Sequence, residues 1–305
     1  MPFVIKKLHA PHKQKAFLFL IKELGYTQRE AQRMIAKGRL FIDGEPMTNN
    51  YGTVDGPFEF VCFESSTRGL NPLFITSEFA VFDKPSGVLI HPQNRYTPYS
   101  LVDEIRHHFG RDANITHRID QETSGLVLAA RNKKSERDLK MMFEHRQMQK
   151  YYVALVHGHV SRETEIDVPL LRQEDASAIV RLTVKVHEDG KASKTFIRPL
   201  KYLPEHDMTL VEAKPYTGRQ HQIRVHLFHV KHPIVGDPIY GQKEEDVLRF
   251  LDKEITPEER LKLSGATRLL LHASQLDFEY KGHHYSIHSK TDFIEEALKA
   301  METVH

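Results

Sequence analysis

The chain has 305 residues, 40% hydrophobic and 28% charged, with a formal net charge of +2. That length allows one large domain or two smaller ones with an ample core, and the composition is ordinary for a soluble globular enzyme. No apolar run approaches the ~20 residues of a membrane span, and no secretory cleavage pattern follows the N-terminal lysines. A single cysteine, Cys62, excludes an internal disulfide framework and fits a reducing cytoplasm. It lies in the run Phe60-Val61-Cys62-Phe63, which predicts a buried structural thiol. The expected protein is cytoplasmic, monomeric and free of membrane.

The near-neutral total hides an asymmetry. Residues 1–40 hold nine Lys/Arg against two acids, a net of +7, so the remainder carries −5. A basic module on a near-neutral body suggests a polyanionic partner, although a solvated face gives the same count. Gln14 to Leu24 reads as a short helix with Phe17, Leu20, Ile21 and Leu24 on one face, stopped by Gly25. Thr27-Gln28-Arg29-Glu30 has the form of a capping box opening a second helix, whose apolar face is Ala31, Met34 and Ile35 and whose end is Gly38. Arg29, Arg33 and Lys37 recur every four residues and line up on another face, an arrangement suited to phosphate contact. Leu40-Phe41-Ile42 then meets Asp43-Gly44, a strong hairpin signal. Arg29, Ala31, Met34, Ile35, Gly38, Leu40, Ile42, Asp43 and Gly44 together resemble the ribosomal protein S-four type RNA-binding domain. The resemblance covers roughly Ala16 to Phe63 and implies a small α/β RNA-binding domain over residues 1–63. Glu64 to Pro72 is polar and rich in turn formers, and reads as a linker over 64–72.

From Leu73 the pattern is mixed. Strand-like runs are Ala80 to Asp83, Leu126 to Ala130, Tyr151 to Val156, Ile179 to Val186, Thr195 to Leu200 and Thr209 to Ala213. Helical runs are Leu101 to Phe109, Lys133 to Met148, Gln220 to Val230, Asp246 to Leu251 and Phe293 to Met301. Strands outnumber helices and do not alternate strictly with them, so residues 73–305 are expected to form an α+β body with a largely antiparallel mixed sheet. There is no internal repeat, low-complexity tract or Gly-rich phosphate loop.

The chemistry centres on His117-Arg118-Ile119-Asp120-Gln121-Glu122-Thr123-Ser124-Gly125, followed at once by the apolar run from Leu126. Taken alone, an aspartate in such a loop is more often a turn residue than a reactive one. Further segments change the odds: Lys84-Pro85-Ser86-Gly87, Lys150-Tyr151-Tyr152-Val153-Ala154, Thr217 to His226, His232 to Gly241, and Leu271-His272-Ala273. In this order, across nearly the whole body, they resemble the RluA family of RNA pseudouridine synthases. Ile119 stands where that family usually has Leu, a conservative departure. The resemblance implies isomerisation of uridine in RNA to pseudouridine without a cofactor. Asp120 is then the catalytic carboxylate, Arg224 its arginine partner, and Tyr152 the active-site tyrosine. The implied RNA is large-subunit ribosomal RNA, with transfer RNA as runner-up. The alternative is a non-catalytic RNA-binding or ribosome-assembly factor that retains the fold.

Physical chemistry agrees with those roles. A carboxylate doing such work must be ionised, which a dry site opposes and a fixed cation favours. The planar fork of Arg224 can hold both carboxylate oxygens. The Tyr152 ring can stack on uracil, whereas an ordinary phenol is a poor base at neutral pH. A uridine in folded RNA must be extruded at a cost of a few kcal/mol, and Arg118 is assigned to fill the vacated stack or grip the phosphate, with a structural ion pair as its alternative. His117 is expected to pack, and Thr123 and Ser124 to hold the loop. Ser124 has no identifiable base and acid partner. Glu122 is the nearest second carboxylate for a glycosidase reading, which no motif supports. Lys84 faces RNA phosphate or closes a strand-end turn. His221, His226, His229 and His232 lack a Cys or acidic companion, so no metal is expected. Arg131, Lys133, Lys134, Arg137 and Lys140 extend the RNA path or, with Glu136 and Asp138, form a solvated helix face.

Overall fold

A computed structural model of the chain describes residues 3–94, 96–173 and 183–302. It divides into two compact units: Met1–Arg68 with Pro92–Asp103, and Gly69–His91 with Glu104–His305.

In the first unit, strand β1 (Phe3–Lys15) leads into helices α1 (Ala16–Leu24) and α2 (Gln28–Ala36), then β2 (Leu40–Ile42), β3 (Glu45–Met47) and β4 (Thr53–Phe63). The four strands form one sheet in the order β1-β4-β2-β3. Gly25 ends α1 at φ 64°. The Thr27 capping box is formed, with Glu30 reaching back to the Thr27 backbone N–H at 3.0 Å. Asp43 and Gly44 carry the paired positive φ values, 49° and 82°, that a tight hairpin requires. Phe19, Leu20, Ala31, Ile35, Leu40, Phe58 and Phe60 fill the core beneath both helices. Burying each larger side chain is worth roughly 1.5–3 kcal/mol. Cys62 is buried in the same core. The periodicity reading put no element before Gln14, where the structure has a strand of 13 residues, and the helix expected from Gln14 starts at Ala16. Lys6 and Lys7 dilute the period-two signal of Val4, Leu8 and Ala10.

The second unit contains β5 (Phe74–Ile75), β6 (Phe79–Lys84), β7 (Asn114–Ile115), β8 (Ser124–Ala130), β9 (Met148–His157), β10 (Thr164–Asp167), β11 (Leu170–Arg172), β12 (Val184–Val186), β13 (Lys194–Leu203), β14 (Met208–Pro215), β15 (Leu271–Tyr280) and β16 (His283–His288). Its helices are α4 (Lys133–Glu144), α5 (Gln222–His229), α6 (Glu244–Leu251), α7 (Pro257–Ser264) and α8 (Phe293–Met301); α3 (Leu101–Phe109) crosses the boundary between the units. A ten-stranded sheet runs β10-β13-β14-β9-β15-β8-β6-β5, with β16 on β15 and β7 on β8. Its pairs are antiparallel except β15 with β8. This is the mixed, largely antiparallel α+β body that the sequence predicts.

Several boundaries move for physical reasons. The helix expected over Lys133 to Met148 ends at Glu144: Arg146 turns at φ 58°, and Met148 starts β9. The helix expected from Gln220 starts at Gln222, because His221 occupies the left-handed region at φ 54°. Of the strand expected over Ile179 to Val186, Val184–Val186 is a strand and residues 179–182 lie outside the described residues. Strands β15 and β16 and helix α7 have no counterpart in the periodicity reading.

Candidate active site

The Asp120 segment is a loop between β7 and β8, held at nearly every residue. Strand β8 is buried along its whole length and fixes the loop's exit. Gly125 sits at φ 105° where β8 meets β15, and a Cβ there would overlap the Ala273 backbone, so only glycine allows the parallel crossing. On the entry side His117 stacks on Phe143 at 4.4 Å, and its Nε2 accepts the Leu128 N–H at 3.0 Å. Burial, then the charge of Lys150, pushes the His117 imidazole down to about 3, so it packs as a neutral ring.

Beneath the loop lies Lys84, fully buried. Its ammonium donates to the carbonyls of Pro85, Val88 and Gln121 at 2.9, 2.9 and 3.0 Å. That corrects the phosphate-facing option: Lys84 is a fastener of the loop from inside, and burial pushes its pKa down to about 7. Ser86 Oγ donates to the Glu122 carbonyl at 2.6 Å, and the Glu122 carboxylate pairs with Arg260 of α7 at 2.7 Å. Glu122 is thereby committed to an ion pair, away from any role as a second glycosidase acid. Arg260 also donates to the Gly236 carbonyl at 2.9 Å, so one guanidinium ties the Asp120 loop to the loop that carries Asp237. Ser124 does have partners: its Oγ lies 2.9 Å from His272 Nδ1, while His272 Nε2 lies 2.9 Å from Ser289 Oγ, which donates to Asp83. This buried relay locks β8 to β15, and Ser124 is itself buried rather than presented as a nucleophile.

Asp120, Tyr152 and Arg224 line one pocket together with Arg118, Ile119, Thr123, Lys150, Pro215, Thr217, Gly218, Arg219, His221 and Leu271. Four separate stretches build it: the Asp120 loop, β9, the turn from β14 into α5, and the start of β15. Arg118 is exposed at the rim.

Arg224 does not divide its fork as the sequence suggests. Its Nε and Nη2 each donate to Asp237 at 2.8 Å, and Nη1 reaches Asp120 at 3.4 Å. Both members of the Arg224–Asp237 pair are buried. Burial alone would lower the arginine's pKa, but the adjoining Asp237 carboxylate more than reverses it. Burial would likewise raise Asp237; the Arg224 charge and the Ile239 and Tyr240 N–H groups hold it below the usual carboxylate range. Asp237 is thus the group that compensates a buried cation and leaves it a free edge toward Asp120. It stands in the segment His232 to Gly241, where the sequence signal for it is an acid in a Gly-Asp-Pro turn. Gly236 beside it has φ 76°, and a Cβ there would collide with the Arg268 carbonyl.

His221 completes the cluster. Its Nδ1 is 2.9 Å from Tyr240 Oη and its Nε2 is 3.8 Å from Asp120. Burial and the neighbouring Arg224 push it down to about 4, so a neutral imidazole faces the carboxylate. Burial and the Asp120 charge hold the Tyr152 phenol well above its ordinary value, which leaves its hydroxyl a donor and not a base.

The other residues are elsewhere. Arg29 and Arg33 are exposed on α2 of the first unit, and Lys37 is exposed at its C-cap. His226 is buried between Ser193 and Thr195, 2.9 Å from each hydroxyl, and among the described residues no metal-ligating group of three side chains occurs. Lys133 and Lys140 pair with Glu136 at 3.5 and 2.7 Å, as on a solvated helix face.

A pocket that sets one carboxylate against a buried, pre-paired arginine, a protonated tyrosine and a neutral histidine can receive an extruded base and act on the bond that holds it. Residues 78–229 match the RNA pseudouridylate synthase family. A protein of Helicobacter pylori described as an uncharacterized RNA pseudouridine synthase is 37% identical over 289 residues, covering 95% of this chain and 94% of that one. The ribosomal large subunit pseudouridine synthase C of Vibrio cholerae is 35% identical over 201 residues, covering 65% and 58%. The solved structure of human RNA pseudouridylate synthase domain containing 1 aligns with a TM-score of 0.59 at 25% identity, over 77% of this chain and 89% of that chain. The chain belongs to the RNA pseudouridine synthase family, whose members include the RluA type. It is an isomerase acting on uridine in RNA.

Proposed function

We propose that the chain modifies uridines of large-subunit ribosomal RNA, with Asp120 as the reactive carboxylate. The observation that carries the reading is the convergence of Asp120, Tyr152 and Arg224 on one pocket, with Arg224 preset by Asp237. In this reading the uridine leaves its stack and enters the pocket, where Tyr152 packs against the uracil and its hydroxyl donates. Arg224 keeps Asp120 oriented and charged, and Arg118 at the rim takes the vacated stack or a flanking phosphate. Breaking the bond between C1′ and N1, turning the base and joining C5 to C1′ needs no co-reactant, since substrate and product are isomers.

Residues 1–63 serve as an S-four type RNA-binding domain and 64–72 as the linker to the catalytic domain at 73–305. The basic face of Arg29, Arg33 and Lys37 supplies phosphate contacts. The ribosomal target is supported by the name of the Vibrio cholerae relative and by the basic α2 face. The protein works as a cytoplasmic monomer, which sedimentation of the purified chain tests. Pseudouridine mapping in RNA from cells with and without the gene tests the target. The expected result is loss of one or a few sites in large-subunit ribosomal RNA, restored by the wild-type chain but not by Asp120→Asn. Loss confined to transfer RNA would replace the ribosomal target.

A further inference from the structure

Lys150 is a half-buried cation of the Asp120 pocket that stands outside the Asp120–Arg224–Asp237 network. It lines the Asp120 pocket from β9, on the same face of the strand as Tyr152 and about 7 Å along it. Across the pocket its ammonium lies 3.6 Å from where a Cβ on residue 218 would stand, so Gly218 leaves the space beside it open. Among the described residues no hydrogen bond or ion pair engages the Lys150 ammonium. The other cations of the pocket are placed differently. Arg224 is spent on Asp237, Arg219 donates its Nε to the Ala192 carbonyl at 3.2 Å, and Arg118 is exposed at the rim. Partial burial lowers the Lys150 pKa with no carboxylate offsetting it, so the ammonium favours a negatively charged partner in the pocket.

We propose that Lys150 is a further catalytic residue, whose ammonium donates a hydrogen bond to a uracil carbonyl oxygen and holds the negative charge that the departing base acquires. The inference rests on the reading of the Asp120 pocket as the uridine site. When the bond from C1′ to N1 breaks, its electron pair leaves with the base, and the resulting anion spreads charge onto O2 and O4. The electron-poor sugar is met by Asp120. After the base turns, the same anion forms the new bond from C5 to C1′; the C5 proton then leaves to water and N1 takes one up, so the product is an isomer of the substrate. The proton of Lys150 stays on nitrogen throughout. A preset cation in a partly dry site favours the charged transition state over the neutral ground state, which is how such donors accelerate reactions.

The test is single-turnover conversion by the full chain of RNA containing uridine or 5-fluorouridine at the target, followed as disappearance of the nucleoside from nuclease digests. RNA affinity is measured at several salt concentrations. Lys150→Met is expected to slow uridine conversion about 10²–10³-fold, with RNA affinity within about twofold. Lys150→Arg should recover part of the rate. The deficit of Lys150→Met should shrink on 5-fluorouridine, whose base leaves as a more stable anion and needs the cation less. Equal deficits on both substrates would overturn the proposal. So would a loss confined to affinity with the salt slope reduced by about one, which marks a phosphate contact. Lys150→Gln, made in parallel, keeps the test open if the methionine protein fails to fold. Asp120→Asn separates the two levels. If it remains active, the uridine-site reading fails; if it is inactive while Lys150→Met runs at the wild-type rate, only the role of Lys150 fails.

Discussion

The arginines of α2 and the arginine of α5 are the same side chain under opposite conditions. Arg29 and Arg33 stand in water on a helix whose other face packs into the core through Ala31 and Ile35. Arg224 is buried, with two of its nitrogens on Asp237 and a third near Asp120. A solvated guanidinium costs the fold little, is screened by salt and remains free for a phosphate. A buried one must be compensated inside the protein, and its geometry is fixed before any substrate arrives. In the proposed function, the first kind of charge tunes how tightly RNA is held and the second decides whether the chemistry runs.

That contrast can be broken from either side. The largest effect is expected for Asp120→Asn: single-turnover conversion falls about 10⁴-fold or more while the melting temperature stays near wild type, because Arg224 keeps its main partner. Near-normal turnover would remove Asp120 from the chemistry. Asp237→Asn comes next. It leaves a buried guanidinium uncompensated and should cost about 3–5 kcal/mol in denaturant unfolding, with conversion reduced as well. A stability loss below about 1 kcal/mol would mean that the pair is not what holds Arg224.

The third prediction concerns acid. His117 titrates near 6.5 when unfolded and is pushed down to about 3 in the fold, where Nε2 must stay free to accept the Leu128 N–H. Below pH 6.5 the unfolded chain binds a proton that the folded chain refuses, so stability is complete above that pH and drains away as pH falls toward the folded value. The loss should reach about 2 kcal/mol by pH 5, and His117→Gln should flatten this slope in unfolding measured at pH 7 and 5. An unchanged slope would assign the acid sensitivity elsewhere. The smallest effect belongs to the exposed side. Replacing Arg29, Arg33 and Lys37 by Gln should weaken RNA binding about tenfold and reduce the salt slope by up to about three, with the rate at saturating RNA unchanged. An affinity unaffected by the triple change would leave the α2 face as ordinary solvated surface.

The α2 cap, the Asp43-Gly44 hairpin and the helix over Phe293–Met301 were legible because each is written in local chemistry: a side chain three residues from its partner, a glycine at a left-handed turn, an apolar stripe of helical period. β1 and the end of α4 were not. Lysines obscured the period of the first, and a strand start at Met148 continued the apolar spacing of the second.

The sequence by itself determined the family, the α+β class and the residues worth following, since an ordered set of short motifs survives without any knowledge of contacts. It also supplied Asp120, Tyr152 and Arg224 as candidates. Only the tertiary structure decided which charges face one another: Arg224 on Asp237 ahead of Asp120, Glu122 on Arg260, Lys84 beneath the loop, and Lys150 in the pocket without a partner among the described residues. The physical reason is range. Periodicity, caps and turns act over a few residues, whereas the partner of a buried charge is chosen by packing, here 13 residues away for Asp237 and 104 for Asp120.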